Sequence, residues 1–281
     1  MSGVAPARGG QGRDDRERAA IRTGGKETMV TLTIDGRVAK VREGATVLDA
    51  ARAIGVRIPT LCQHEALEPW GGCRLCLVDV TKKEWNGWEK MVVSCMFPAE
   101  EGLAVSTASE RVVATRKVVL DLLLARCPEA PLVQSLAREY GIERTSYQEN
   151  PEPTDCVLCG LCTRVCDQIG VSAISTVNRG AGKEVAPPFH EAPPDCIGCL
   201  ACAEICPTDC IPYETSDLGR TIWGRRFEMV RCPHCGRAHI TKEQATFYAG
   251  RGGVPESYFL ACDACKRKQM AKTFTTLSLA K

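Results

Sequence analysis

Four groups of cysteines set the chemistry available to this sequence. The tightest is the run Cys156-Val-Leu-Cys159-Gly-Leu-Cys162-Thr-Arg-Val-Cys166. It recurs as Cys196-Ile-Gly-Cys199-Leu-Ala-Cys202-Ala-Glu-Ile-Cys206-Pro207. Three cysteines at two-residue spacing, with a fourth three residues on, match the bacterial pattern for a pair of four-iron clusters. In that pattern the fourth cysteine of each run ligates the other cluster. The spacing predicts one [4Fe–4S] on Cys156, Cys159, Cys162 and Cys206, and a second on Cys196, Cys199, Cys202 and Cys166. This crossover would set two one-electron centres side by side.

The second group is Cys62, Cys73, Cys76 and Cys95, with gaps of ten, two and eighteen residues. Four thiolates of this kind suit a [2Fe–2S] cluster, although the first gap is longer than in the plant-type pattern. Gly71 and Gly72 precede Cys73, where a bare backbone can approach inorganic sulfide and offer it amide donors. A zinc site or four unrelated buried thiols is the competing reading. The strand and helix pattern just upstream favours the cluster.

The third pattern is Cys232-Pro-His-Cys235 with Cys262-Asp-Ala-Cys265, the two pairs 26 residues apart. Two such knuckles closing a tetrahedral four-thiolate site read as a zinc ribbon, and redox-active iron is the alternative. His234 and His239 are expected outside the ligand set, since four cysteines suffice. Of 18 cysteines, Cys127 and Cys210 then remain. Both are expected to be non-ligands, Cys210 as a buried free thiol beside a cluster and Cys127 as packing.

The elements that must position these residues are legible in part. Val30 to Ile34 and Arg37 to Val41 flank Asp35-Gly36 and read as a tight hairpin. Thr46 with Asp49 gives a capping-box start, Val47, Leu48, Ala51 and Ile54 form an apolar helical face, and Gly55 supplies the stop. Val112, Val113, Val119, Leu120, Leu123 and Leu124 recur at helical spacing. A second helix is expected from Leu132 to Tyr140, with Pro151 and Pro153 marking a boundary. The predicted fold class is α+β, in five segments. They are a disordered extension (1–28), a β-grasp [2Fe–2S] ferredoxin domain (29–107), a helical linker (108–150), a 2[4Fe–4S] ferredoxin domain (151–215) and a zinc-ribbon-like domain (216–281).

Composition narrows the class further. Net charge is +2, which gives no footprint for nucleic acid or a membrane surface. Closely spaced metal thiolates call for a reducing compartment, no secretory signal pattern is evident and no apolar run is long enough to span a bilayer, so a cytoplasmic location is expected. The sequence contains neither a Gly-x-Gly-x-x-Gly turn after a strand nor a Gly-x-x-x-x-Gly-Lys-Ser/Thr loop, so no nucleotide site is expected. It reads as wiring with no catalytic residues.

Residues 29–215 resemble the iron–sulfur relay subunits of soluble NAD(P)-reducing hydrogenases and formate dehydrogenases. They also resemble the amino-terminal part of the large iron–sulfur subunit of respiratory complex I. The matching motifs are Thr60-Leu61-Cys62, Gly72-Cys73-Arg74-Leu75-Cys76, Cys159-Gly-Leu-Cys162-Thr-Arg-Val-Cys166, and Val177-Asn-Arg-Gly with Ala186-Pro-Pro-Phe189. There are two departures. The family often carries an extra [4Fe–4S] on one histidine and three cysteines, yet residues 96–155 hold no histidine and only Cys127. The carboxy-terminal ribbon also lies outside the usual pattern.

The resemblance implies a non-catalytic electron-transfer subunit. A flavin- and NAD(P)H-binding partner would exchange electrons with the [2Fe–2S] end, and the [4Fe–4S] pair would serve a hydrogenase or formate dehydrogenase subunit. A free-standing multi-cluster ferredoxin is a second reading, disfavoured by the helical segment and the ribbon. An iron–sulfur redox sensor is a third, weakened by the near-neutral charge.

Overall fold

The computed structural model describes residues 28–279, Pro153 excepted. The extension expected to be disordered lies, save its last residue, outside them. Strands β1 (Met29–Ile34) and β2 (Arg37–Arg42) pair antiparallel. Their turn places Asp35 at φ 47° and Gly36 at φ 78°, the left-handed pair that a two-residue hairpin loop demands. Helix α1 (Val47–Ala53) starts at Thr46, whose hydroxyl accepts from the Asp49 amide at 3.2 Å while the Asp49 carboxylate accepts from the Thr46 amide at 3.0 Å. Strands β3 (Leu77–Thr81), β4 (Lys90–Val93) and β5 (Ala104–Ser106) complete a sheet of order β2-β1-β5-β3-β4. Strand β5 runs parallel to β1 and antiparallel to β3. Alternate strand residues Leu32, Ile34, Val78 and Val80 face α1 residues Val47 and Leu48 to form the first core.

Helix α2 (Glu110–Arg126) is capped by Ser109 and leads into α3 (Pro131–Glu139). Leu120, Leu124, Val133 and Leu136 form a second core shared with Leu61, Cys62 and Leu75 from one side and Cys159 and Leu161 from the other. The first two cysteine groups are thus built around common apolar packing.

The next unit holds α4 (Leu161–Ile169), the paired strands β6 (Ser175–Val177) and β7 (Glu184–Ala186), and α5 (Ala201–Glu204). A three-stranded sheet follows, of order β10-β9-β8, from β8 (Tyr213–Ser216), β9 (Gly219–Ile222) and β10 (Arg225–Phe227). This sheet crosses the expected 215/216 boundary, because Ile222 and Phe227 pack with Cys162, Ile174, Leu200 and Ile211 in a third core. The chain ends in β11 (Met229–Arg231), β12 (Ala238–Thr241), α6 (Lys242–Gly252) and α7 (Asp263–Leu279). Buried Thr241 caps α6 and donates to the Ile197 carbonyl at 2.5 Å, tying this last unit to the loop of Cys196. The architecture is mixed α+β. None of the described helices is long and apolar enough to cross a membrane.

Candidate metal centres

Cys62, Cys73 and Cys76 lie on the connection from α1 to β3, and Cys95 follows β4. Cys62, Cys76 and Cys95 are buried and Cys73 is half-buried. The Cys73 amide donates to the Cys62 sulfur at 3.3 Å, and the Leu61 amide donates to the Cys73 sulfur at 3.5 Å. The Cys62 thiol holds Cys73 down at about 5 despite burial, and Cys95 holds Cys76 at about 7. The partners Cys62 and Cys95 are pushed up in turn by these hydrogen bonds and by burial. It is therefore the amide donors and the burial of the sulfurs that fit a thiolate-ligated cluster. Gly72 has no room for a side chain: a Cβ there would stand 2.4 Å from the Trp70 indole.

A cavity of about 170 Å³ is walled by Cys156, Cys159, Cys162 and Cys206. A second, largely apolar pocket is walled by Cys166, Cys196, Cys199 and Cys202 among Ile169, Ile174 and Ile222. The fold therefore carries Cys206 to the first run and Cys166 to the second. Amides again address sulfur, from Ala173 to Cys166 at 3.3 Å and from Gly198 to Cys196 at 3.4 Å. Burial pushes the Cys202 thiol up to about 11, against the pull of the Trp223 N–H.

Cys210 sits differently from expectation. Expected as a buried thiol beside a cluster, it is half-buried on the wall of the first cavity, its sulfur 3.5 Å from that of Cys206. Its hydrogen bonds hold Cys206 at about 5 and Cys156 at about 6. The three-residue step from Cys206 to Cys210 across Pro207-Thr208-Asp209 folds the chain back because Asp209 takes a left-handed conformation, φ 51°. Cys127 is fully buried within the second core.

Arginines are the site residues that spacing did not reveal. Buried Arg116 on α2 donates to the carbonyls of Leu75 (2.9 Å) and Leu77 (2.5 Å), which flank Cys76, and to the Tyr140 hydroxyl (3.2 Å). Arg164 donates to the Cys62 carbonyl at 3.0 Å, Arg126 to Cys156 at 2.9 Å, Arg225 to Cys196 at 2.7 Å, and Arg220 to Gly198 at 2.7 Å. The loops of Cys62, Cys76, Cys156 and Cys196 to Cys199 are each gripped by a guanidinium at or beside a sulfur-bearing residue. A guanidinium so placed would rigidify the loop and favour added negative charge on whatever the thiolates hold.

The sulfurs of Cys232, Cys235, Cys262 and Cys265 all lie within 4.8 Å of one another, with Cys235 and Cys262 at 3.7 Å. Four sulfurs placed tetrahedrally about 2.3 Å from one ion would stand about 3.8 Å apart. The spacing fits a single metal ion and is too tight to enclose a cluster. His234 is engaged with Gln269 at 2.9 Å and His239 with the Phe259 carbonyl at 2.8 Å, so both lie outside the sulfur group.

Residues 27–110 match the family model described as a 2Fe-2S iron-sulfur cluster binding domain. Over 212 residues the chain is 34% identical to the NADP-reducing hydrogenase subunit HndD of Solidesulfovibrio fructosivorans, a match spanning 64% of this chain and 35% of that protein. It is 29% identical over 259 residues to the NADPH-Fe(3+) oxidoreductase subunit alpha of Geobacter sulfurreducens, covering 79% of this chain and 30% of the relative. The NADH-ubiquinone oxidoreductase 75 kDa subunit of Reclinomonas americana matches at 32% over 182 residues, covering 56% and 26%. Among solved structures, a chain of an NAD+-reducing [NiFe]-hydrogenase in the H2-reduced state superposes with a TM-score of 0.50 at 30% identity. That match covers 57% of this chain and 75% of the other. The chain spans about a third or less of the curated relatives it matches.

Proposed function

From an iron–sulfur protein similar to subunits of NAD(P)-linked oxidoreductases, we propose an electron-relay subunit that holds one [2Fe–2S], two [4Fe–4S] and one zinc. The ligand sets are Cys62, Cys73, Cys76 and Cys95; Cys156, Cys159, Cys162 and Cys206; Cys196, Cys199, Cys202 and Cys166; and, for zinc, Cys232, Cys235, Cys262 and Cys265. When bound, the clusters supply reversible one-electron storage. The chain's own residues hold them by thiolates, point amides at the sulfurs and exclude water with apolar cores. The carrying observation is that three cysteine constellations follow one another through two shared cores, one containing Cys62 and Cys159 and the other Cys162 beside Cys166, Cys196 and Cys202.

The segments proposed are the β-grasp domain (29–107), the helical linker (108–150), the two-cluster ferredoxin unit, which begins at 151 and takes in the β8–β10 sheet beyond the expected 215, and the ribbon after it. The chain is proposed to be cytoplasmic and non-catalytic by itself. Its partners would be a flavin- and NAD(P)H-binding subunit and a catalytic subunit of hydrogenase or formate dehydrogenase type. Anaerobic elemental analysis tests the inventory: about ten iron atoms and one zinc per chain are expected. Near-zero zinc with clearly more iron would move the ribbon to iron. The isolated, fully loaded chain should be reducible by dithionite yet turn over neither NAD(P)H, hydrogen nor formate. Turnover at an enzymatic rate would overthrow the relay reading.

A further inference from the structure

Two tryptophans occupy the two seams between successive cysteine sites. Trp70 lies in the loop before Cys73, and one edge of its indole (Cε3, Cζ3, Cη2) lies against both Gly72 and Gly160. A Cβ at Gly160 would stand 3.1 Å from the ring, so both glycines leave space that the indole fills. Gly72 adjoins Cys73, and Gly160 adjoins Cys159. Arg164 closes the seam, its guanidinium 5.8 Å from the Trp70 ring centre while it donates to the carbonyls of Cys62 and Glu68. Gln168 adds a bond to the Ala66 carbonyl at 2.9 Å.

Trp223 does the corresponding thing one site further on. It sits with Gly224 at the turn between β9 and β10, both residues at positive φ. Its side chain lines the cavity of Cys156, Cys159, Cys162 and Cys206 and also the pocket of Cys166, Cys196, Cys199 and Cys202. Its buried Nε1 acts on the Cys202 thiol yet makes no hydrogen bond of normal geometry among the described residues. A buried indole N–H normally has a partner, and a ligand sulfur of the second pocket is the acceptor its position offers.

We propose that Trp70 and Trp223 are the inter-centre spacers of the relay, Trp70 for the step between the two-iron and first four-iron sites and Trp223 for the step between the four-iron sites. The inference rests on the relay reading above. In each step one electron leaves the reduced centre and enters its oxidised neighbour; no bond forms or breaks, and the indole is unchanged. Tunnelling falls steeply with the gap and with any water in it. A flat, rigid, apolar body against the seam keeps the gap short and limits the water in it, with little conformational freedom to lose. Half-buried Trp223 does so between the four-iron sites, and Trp70, though 45% exposed, does so through the ring edge set against Gly72 and Gly160.

The test uses the full, anaerobically loaded chain with Trp70→Leu and Trp223→Leu, and with Trp70→Phe and Trp223→Phe as conservative partners. Iron content, spin relaxation of the dithionite-reduced centres and electron redistribution after deazaflavin photoreduction are measured. Trp70→Leu should keep its iron, lose the relaxation enhancement of the [2Fe–2S] signal and slow only the first step. Trp223→Leu should alter the spin interaction between the four-iron centres and slow only the second, and the Phe variants should lie between. If iron is retained and relaxation and rates equal those of the parent, or both variants affect both steps alike, the proposal falls. Iron lost from the Leu and Phe variants alike would also overturn it, by making the indole a folding element. A parent lacking the two kinds of signal would overturn the relay reading itself.

Discussion

A cysteine becomes a ligand only after losing its proton, so what surrounds each sulfur decides how a cluster is held and how it titrates. Cys127 shows the opposite environment: burial in the second core pushes its thiol up to about 11. Replacing it with Ala should leave the iron count intact and cost about 1 kcal/mol of stability through a small cavity, read by denaturant unfolding. Loss of a cluster signal would mean a ligand had been missed. Cys210 is different, since its thiol lies against Cys206. Cys210→Ala should retain the iron but lower the potential of the first four-iron centre, because a donor to the ligand sulfurs is gone. A redox titration with an unchanged midpoint would show that the contact has no electronic effect. The crossover is tested by Cys166→Ser, which should weaken the signal assigned to Cys196, Cys199 and Cys202 and spare the first four-iron centre. Motif spacing grouped the twelve cysteines proposed as cluster ligands and put Cys210 beside one group. It could not show the direct contact of the Cys210 and Cys206 sulfurs, because that depends on one left-handed residue, Asp209.

At the scale of elements, α2 is the strut that sets the first two sites relative to each other. Arg116 and Arg126 are ten residues apart, about 15 Å along a helix axis, and grip the Cys76 loop and the Cys156 loop respectively. Apolar periodicity located this helix, and Val119 and Leu123 do pack against the second core. Its fully buried line runs through Val112, Arg116, Leu120 and Leu124. An arginine at a core position carries no sequence signal, since its partners are carbonyls distant in the chain. Arg116→Met should cost about 1–3 kcal/mol by orphaning buried carbonyls and lower the [2Fe–2S] potential, with Lys no full substitute. Equal potentials in parent and variant would remove the electrostatic role. The N-terminus of α2 carries a pH dependence. Burial raises the Asp79 carboxyl, but Arg111 at 2.7 Å and Ser109 at 2.6 Å outweigh it and hold it below the usual carboxylate range. A lowered folded pKa adds stability that is complete above the ordinary value of about 3.9 and disappears as pH falls through the folded value. Thermal melts should show that acid-side loss in the parent and a smaller one in Asp79→Asn.

For the whole molecule, the order of sites along the chain is also their order in space, because each shared core contains cysteines from consecutive groups. The hairpin, the capping box and the helix expected from Leu132 to Tyr140 were legible since each depends on neighbouring residues. The seams were not, because Trp70 meets Gly160 and Thr241 meets Ile197 only after folding. That last contact gives the ribbon a consequence. Thr241 and Arg251 bond to the Ile197 and Ile169 carbonyls, so the four-sulfur unit braces the segments that bear Cys196 and Cys166, the site proposed for the second four-iron centre. Structural zinc contributes directly to the folding of the unit that holds it. Cys235→Ser, or zinc removal by a chelator, should therefore loosen α6 and accelerate loss of the second four-iron centre under mild oxidation. The [2Fe–2S] signal should decay at the parent's rate. Electron paramagnetic resonance followed over time separates the two. If all signals decayed together, the ribbon would be a brace for the entire fold; if none changed, Thr241 and Arg251 would be holding the loop without help from the metal.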